Sequence, residues 1–198
     1  MKLTLNLNGE KIFFASDYHF YHGNVIKYDG RPFDNVREMN ETLIENWNNK
    51  IGKDDTVFYL GDFSFKNGSP ASEIAHELNG KIHFILGNHD DHRDIKSFGR
   101  FETISDYIHL NVADADANRG QQCITMSHFP MLSWDKINHG SIMLHGHEHG
   151  SMMKNPNYDW YYKRKVLDVG CNMHNYSPIS FLEVKSYMKD KLIEKTHH

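Results

Sequence analysis

Ser141-Ile142-Met143-Leu144-His145-Gly146-His147-Glu148-His149-Gly150 is a short apolar run that stops abruptly in three imidazoles within five residues. A strand places residues i and i+2 on one face. His147 and His149 therefore aim at one point, or at two neighbouring points where the chain leaves the strand. Neutral imidazole is the commonest metal-ligating side chain, so the stretch raises a metal site. Alone it is ambiguous, because exposed histidines also cluster by chance. What decides the matter is whether other strand ends supply partners.

Four of them do. Lys11 to Ser16 runs into Asp17-Tyr18-His19, and Thr56 to Gly61 runs into Asp62. Lys81 to Gly87 runs into Asn88-His89-Asp90, and Gln122 to Ser127 runs into His128. All five runs have strand length and β-type composition. Strands that deliver polar residues at their carboxyl ends predict an α/β sheet whose site lies along that edge, where open α/β sheets bind ligands.

Helical spacing is predicted between the strands. Val36, Met39, Leu43, Ile44, Trp47 and Ile51 mark a helix over 35–51 with Asp34 as N-cap. Ser69-Pro70 opens a second helix with a cap and an N1 proline. A short helix is expected over 91–98, and Ser180-Phe181-Leu182-Glu183 reads as a capping box starting a last one. Ile104 to Val112 alternates as one strand, as do the first residues of the chain, and Val166 to Val169 forms another. Residues 21–33 and 152–162 read as irregular loops. In the second, Tyr158, Trp160, Tyr161 and Tyr162 either pack on the core or wall a substrate pocket.

The bulk properties suit this picture. The 198 residues form one domain, 1–198, with 191–198 expected as a flexible tail. Hydrophobic content of 39% with 24% charged residues reads as soluble and globular. A net charge of −4 argues against a broad nucleic-acid footprint, and Lys163-Arg164-Lys165 reads as a solvated loop. No run approaches the roughly 18 apolar residues of a membrane span, and the start lacks the apolar core of a signal peptide. Cys123 and Cys171 read as two buried thiols, which suits a cytoplasmic location. His197 and His198 end the chain like a tag remnant and carry no weight.

Asp17, His19, Asp62, Asn88, His89, His128, His147 and His149 thus punctuate the strands. Oxygen and nitrogen donors without a thiolate suit Zn²⁺, Mn²⁺ or iron. The set exceeds what one tetrahedral ion needs. Two ions sharing a carboxylate would use it fully, and metals roughly 3.5–4 Å apart are a known solution for phosphoester displacement. Singly, Asp62 after Gly61 and Asn88 after Gly87 would read as turn residues.

The blocks D-x-H (Asp17, His19), G-D (Gly61, Asp62), G-N-H-D (Gly87 to Asp90), His128 and G-H-x-H (Gly146 to His149) resemble the calcineurin-like metallophosphoesterases, in that family's order. Asp17-Tyr18-His19-Phe20-Tyr21-His22-Gly23-Asn24 with Arg31-Pro32-Phe33 is similar to a small bacterial and phage branch. The resemblance implies a four-layer α/β/β/α sandwich of two mixed β-sheets. It implies one divalent ion (Mn²⁺, Zn²⁺, Fe²⁺ or Ni²⁺) on Asp17, His19, Asp62 and His149. A second would lie on Asp62, Asn88, His128 and His147, with Asp62 bridging. It also implies attack on phosphorus by a metal-bound hydroxide. His89 would serve the leaving oxygen as proton donor or charge stabiliser, held by Asp90. His145 is expected to support the ligands rather than bind metal, and His22, Arg31 and His145 are taken as substrate contacts.

Rival metal hydrolases fit poorly. Metallo-β-lactamase-like proteins want H-x-H-x-D-H, but Gly150-Ser151-Met152 follows His149. Amidohydrolase barrels place H-x-H near the start of a longer chain. The readings left are a phosphodiesterase on a small, nucleotide-derived substrate, a phosphomonoesterase of the same fold, and a non-catalytic scaffold. The absence of length for a cap domain favours the diester.

Overall fold

Short runs of aromatic and aliphatic residues build two five-stranded sheets in the computed structural model, which describes residues 2–5, 11–65 and 68–194. The strands are β1 (Lys2–Leu5), β2 (Ile12–Ala15), β3 (Thr56–Tyr59), β4 (Lys81–Ile85), β5 (Thr103–Ser105), β6 (Tyr107–Ala113), β7 (Gln121–Ser127), β8 (Ile142–His145), β9 (Val166–Asp168) and β10 (Ile179–Ser180). One sheet runs β10-β2-β3-β4-β5 and the other β1-β6-β7-β8-β9. Both are mixed. Only β10 with β2 and β6 with β7 pair antiparallel. The described α-helices are α1 (Gly23–Asp29), α2 (Val36–Lys50), α3 (Ser69–Glu77), α4 (His92–Ser97), α5 (Asp159–Tyr162) and α6 (Phe181–Met188).

Strand alternation sorts the side chains into separate cores. Ile12 and Phe14 of β2, Phe58 of β3 and Ile85 of β4 face Leu110, Ile124, Met126, Ile142 and Leu144 of the other sheet in one shared cluster. The alternate residues Phe13, Ala15, Val57, Tyr59 and Phe84 pack against Met39, Leu43 and Trp47 of α2 and Ile74 of α3. On the far side of the second sheet, Met143 and Val166 meet Trp134, Tyr161 and Tyr162. Strands covered on both faces read as continuous hydrophobic runs, and β2, β3 and β8 are buried throughout.

Several sequence expectations need correction. Residues 21–33 are not all irregular, since they contain α1. The single strand expected over 104–112 is two, because the chain crosses between sheets at Asp106: β5 pairs with β4, and β6 with β7. Alternation continues through the crossing, so periodicity alone conceals it. The cap of α2 is Asn35, whose side chain accepts the N–H groups of Arg37 and Glu38, and not Asp34. Gly68 stands at the N-cap of α3, with Ser69 already inside the helix.

Two helix starts are as expected, and other expectations hold only in part. Asp91 caps α4, and the capping box at Ser180 and Glu183 is formed. Of the aromatic cluster, Tyr161 and Tyr162 are buried whereas Tyr158 and Trp160 are exposed. Both cysteines are free, Cys171 buried and Cys123 half-buried. At the expected tail, Leu192 bridges Arg164 and Glu194 pairs with the Arg164 guanidinium at 2.9 Å, so 191–194 lie against the body. His197 and His198 fall outside the described residues. No helix among the described residues is long and apolar enough to cross a membrane.

Candidate metal centre

Parallel pairing of β2, β3 and β4, and of β7 with β8, brings five carboxyl ends to one edge. Two donor groups form there. Asp17, His19 and His149 make one, and Asp62, His128 and His147 make the other. In the first, His19 Nε2 lies 3.1 Å from His149 Nε2, which is 3.6 Å from Asp17 Oδ1. In the second, Asn88 Oδ1 lies 3.0 Å from His128 Nε2 and 2.9 Å from His147 Nδ1. Asp62 Oδ2 stands between the groups, 3.6 Å from His19 Nε2 and 3.5 Å from His128 Nε2.

Local backbone geometry aims these groups. Asp17, His19, Asp62, His147 and His149 all adopt left-handed φ, between 47° and 70°. Such residues cost of order 1–3 kcal/mol each and persist only where the surroundings impose them. The turns also pass unusually close together. A Cβ on Gly61 would lie 2.6 Å from Gly87 N and His128 Nδ1, and one on Gly146 would strike Ser16 Oγ and Asp17 Oδ2.

Outer partners fix which imidazole nitrogen faces inward. His128 Nδ1 is 2.7 Å from Leu60 O. A carbonyl only accepts, so Nδ1 carries the proton and the Nε2 lone pair points at Asp62 and Asn88. His149 Nδ1 likewise meets Asp29 Oδ2 at 2.8 Å, leaving Nε2 toward the centre. The backbone N–H of His147 donates to both oxygens of Asp17, at 3.1 and 3.0 Å.

The charges fit divalent cations. Burial would raise the Asp17 carboxyl, but the hydrogen bond and charge of His149 outweigh it and hold it below the usual range. Asp62, also opposed by burial, is held at about 2 by His128, the His89 N–H and His19. Burial lowers His19 to about 4, which keeps its imidazole neutral as a ligand must be. His149 is pushed up to about 10 against burial, because Asp17 and Asp29 flank it. Two buried carboxylates thus draw positive charge, here the proton held by His149, to the place where the imidazole nitrogens converge. Donors 2.9–3.6 Å apart match the spacing of atoms bound about 2.0–2.2 Å from a shared ion.

The same chain architecture occurs elsewhere. An uncharacterized protein of Methanocaldococcus jannaschii is 37% identical over 191 residues, spanning 92% of this chain and 94% of that protein. The gene 66 protein of Mycobacterium phage L5 is 31% identical over 165 residues, spanning 71% of this chain and 78% of its own. This chain belongs to their family. A solved protein of unknown function from Aquifex aeolicus shares the fold of the family, with a TM-score of 0.67 at 22% identity over 88% of this chain and 97% of that one. No protein-family model matches the chain.

The seven expected ligands therefore come together, and others do not behave as expected. Arg31 was expected at the phosphate, yet its side chain is buried. Its guanidinium donates to Asp17 O and Tyr18 O at 2.9 Å and pairs with Asp29, which leaves it no reach to a substrate. His145 is fully buried between Gly146 O, 2.8 Å from Nδ1, and the Tyr162 hydroxyl, 3.1 Å from Nε2. It supports the turn and cannot touch substrate. Asp90 does not hold the His89 ring. Its carboxylate accepts the N–H groups of Asp62, Phe63 and Gly87 at 2.8–3.0 Å, locking two ligand turns together. Burial pushes its pKa up. His89 is 47% exposed, with Nε2 4.0 Å from Asp62 Oδ2, and half-buried His22 lies beside His19, ring centroids 5.6 Å apart.

Two carboxylates escaped the sequence reading. Asp29 orients His149 and anchors Arg31, but Asp29-Gly30 reads locally as an ordinary turn. Asp168 is fully buried at the end of β9 and accepts the N–H groups of Gly150 and Gly170 at 2.8 Å. The same strand-end position that singled out Asp17 and Asp62 applied to it. Removing an outer partner of a ligating histidine typically costs 10–100-fold in metal affinity. Asp29→Ala should therefore weaken binding of one Mn²⁺ per chain by about 10–100-fold in calorimetric titration. An unchanged isotherm would deny that Asp29 orients His149.

Proposed function

We propose that the two sheets and their helices form the four-layer sandwich of the calcineurin-like metallophosphoesterases. On this reading the chain is a dinuclear metal-dependent hydrolase of phosphodiesters. The observation that carries the proposal is Asp62 Oδ2, shared between His19 of one donor group and His128 of the other. Asp17, His19, Asp62 and His149 would hold one divalent ion, and Asp62, Asn88, His128 and His147 the second. Bound there, two such ions supply an activated water and neutralise charge developing on the phosphoryl oxygens.

The chain's own groups do the rest. Asn88 fills a ligand position without adding negative charge, which leaves the centre more attractive to an anionic phosphate. His89 would carry a proton on Nε2 and give it to the departing oxygen, a role that requires the exposure and proximity it has beside Asp62. Asp90 is a positioning residue through the backbone of both turns. His22, at the rim beside His19, would contact the phosphate.

His147 and His149 border a cavity of about 380 Å³ together with Tyr28, Glu148, Ser151 and Lys154, and the diester reading takes this open space as room for a substituent on the phosphate.

Chelator-stripped protein should be inactive and regain activity with Mn²⁺, Ni²⁺ or Zn²⁺, cleaving bis-p-nitrophenyl phosphate faster than p-nitrophenyl phosphate. A large monoester preference would reverse the diester reading. Protein that carries two ions and cleaves neither ester would be a scaffold and not an enzyme. His89→Ala should keep both ions and slow alkyl-leaving esters by about 100-fold or more, while scarcely affecting p-nitrophenolate departure. Equal slowing across leaving groups would remove His89 from proton transfer.

A further inference from the structure

Phe65 and Phe129 are the two exposed phenylalanines among the described residues, at 59% and 50%, while every other phenylalanine is buried or half-buried. Phe129 lies against two histidines of the centre, and Phe65 against a histidine that adjoins it. Phe129 packs at 4.6 Å against His147 and 5.1 Å against His128, in the donor group that includes Asn88. Phe65 stacks face to face on His22, centroids 4.4 Å apart and planes 10° from parallel, and His22 leads to His19 of the other group. Tyr28, 75% exposed, meets the edge of His22.

The backbone holds both rings in place. Phe65 N donates to Phe20 O at 2.9 Å, and Ser127 Oγ donates to Phe129 O at 2.6 Å. These flat apolar faces, one beside each donor group and both presented to water, suit planar groups carried by the two ester oxygens of a phosphodiester. Base–aromatic stacking is tolerant of base identity because every base has a π-face. The net charge of −4 disfavours a long polyanion.

We infer that Phe129 and the Phe65–His22 stack are two base-binding platforms, and that the substrate is a phosphodiester joining two nucleosides. The inference rests on the phosphodiesterase reading for its reaction, while its recognition claim stands on the rings alone.

The test is calorimetric binding to the full chain loaded with Mn²⁺. The probe is adenylyl-adenosine with its bridging phosphate replaced by a methylenephosphonate, compared with the same analogue lacking both bases. The base-bearing probe should bind at least about tenfold tighter. Phe129→Ala and Phe65→Ala should each weaken it by about 5- to 100-fold and leave the baseless probe unaffected. Phe129→Leu and Phe65→Leu, which keep an apolar side chain but lose the π-face, should lower the same ratio if an alanine variant loses its metals. Equal wild-type affinity for both probes, or variants that weaken both probes alike, would overturn the proposal. Base preference in a protein that cleaves no diester would sink the hydrolase reading and leave the platforms standing. Diester cleavage without base preference would sink the platforms alone.

Discussion

A buried carboxylate shared by two sets of imidazoles is the constraint around which this molecule is arranged. Asp62 follows β3, which pairs with β2 on one side and β4 on the other. Its Oδ2 faces His19 and His128, its Oδ1 accepts the His89 N–H at 2.9 Å, and its own N–H is held by Asp90. The ends of β2, β4 and β7 therefore meet at one side chain that is only 2% exposed. A charge so placed has to be paired or bound to a cation, and Asp62 and His128 do shift one another, the carboxyl down and the imidazole up against its burial. Two divalent ions would satisfy the carboxylates and the imidazole nitrogens of both groups together.

The cost of that arrangement is visible in the backbone. Five of the seven candidate ligands sit at left-handed φ, a conformation that ordinary side chains avoid. What holds them is a set of outer partners that never reach the centre themselves. Asp90 ties the Asp62 turn to the Gly87 turn. Arg31 ties the Asp17 backbone to Asp29, which holds His149. Asp168 fixes the amide after His149. The hydrophobic cluster between the sheets supplies the rigid frame on which these turns are mounted, and functional strain is commonly stored on such frames.

The candidate ligands were legible because each is a local event, a strand that stops in a donor residue. The two sheets were not separable at the same stage. The crossing at Asp106 interrupts no alternation between Ile104 and Val112, so nothing local reports it. The substrate contacts expected of Arg31 and His145 differ from their observed surroundings for a related reason, although His145 does take the supporting place expected of it. Their side chains could serve a substrate as well as a fold, and only burial against Asp29 or Tyr162 decides between these uses. Asp29 was silent because a turn aspartate and an aspartate that orients a histidine look alike until the distant His149 arrives. Contacts that join residues 120 positions apart are set by tertiary packing and leave no mark on neighbouring sequence.

Metal stoichiometry measures the role of Asp62 most directly. Protein stripped and reloaded with Mn²⁺ should carry two ions per chain by elemental analysis. His149→Ala should reduce this to one, by removing a ligand that belongs to a single donor group. Asp62→Ala should lower it below one, because both groups lose a donor and the central negative charge. Two ions retained by Asp62→Ala at wild-type affinity would contradict the shared carboxylate on which the account depends.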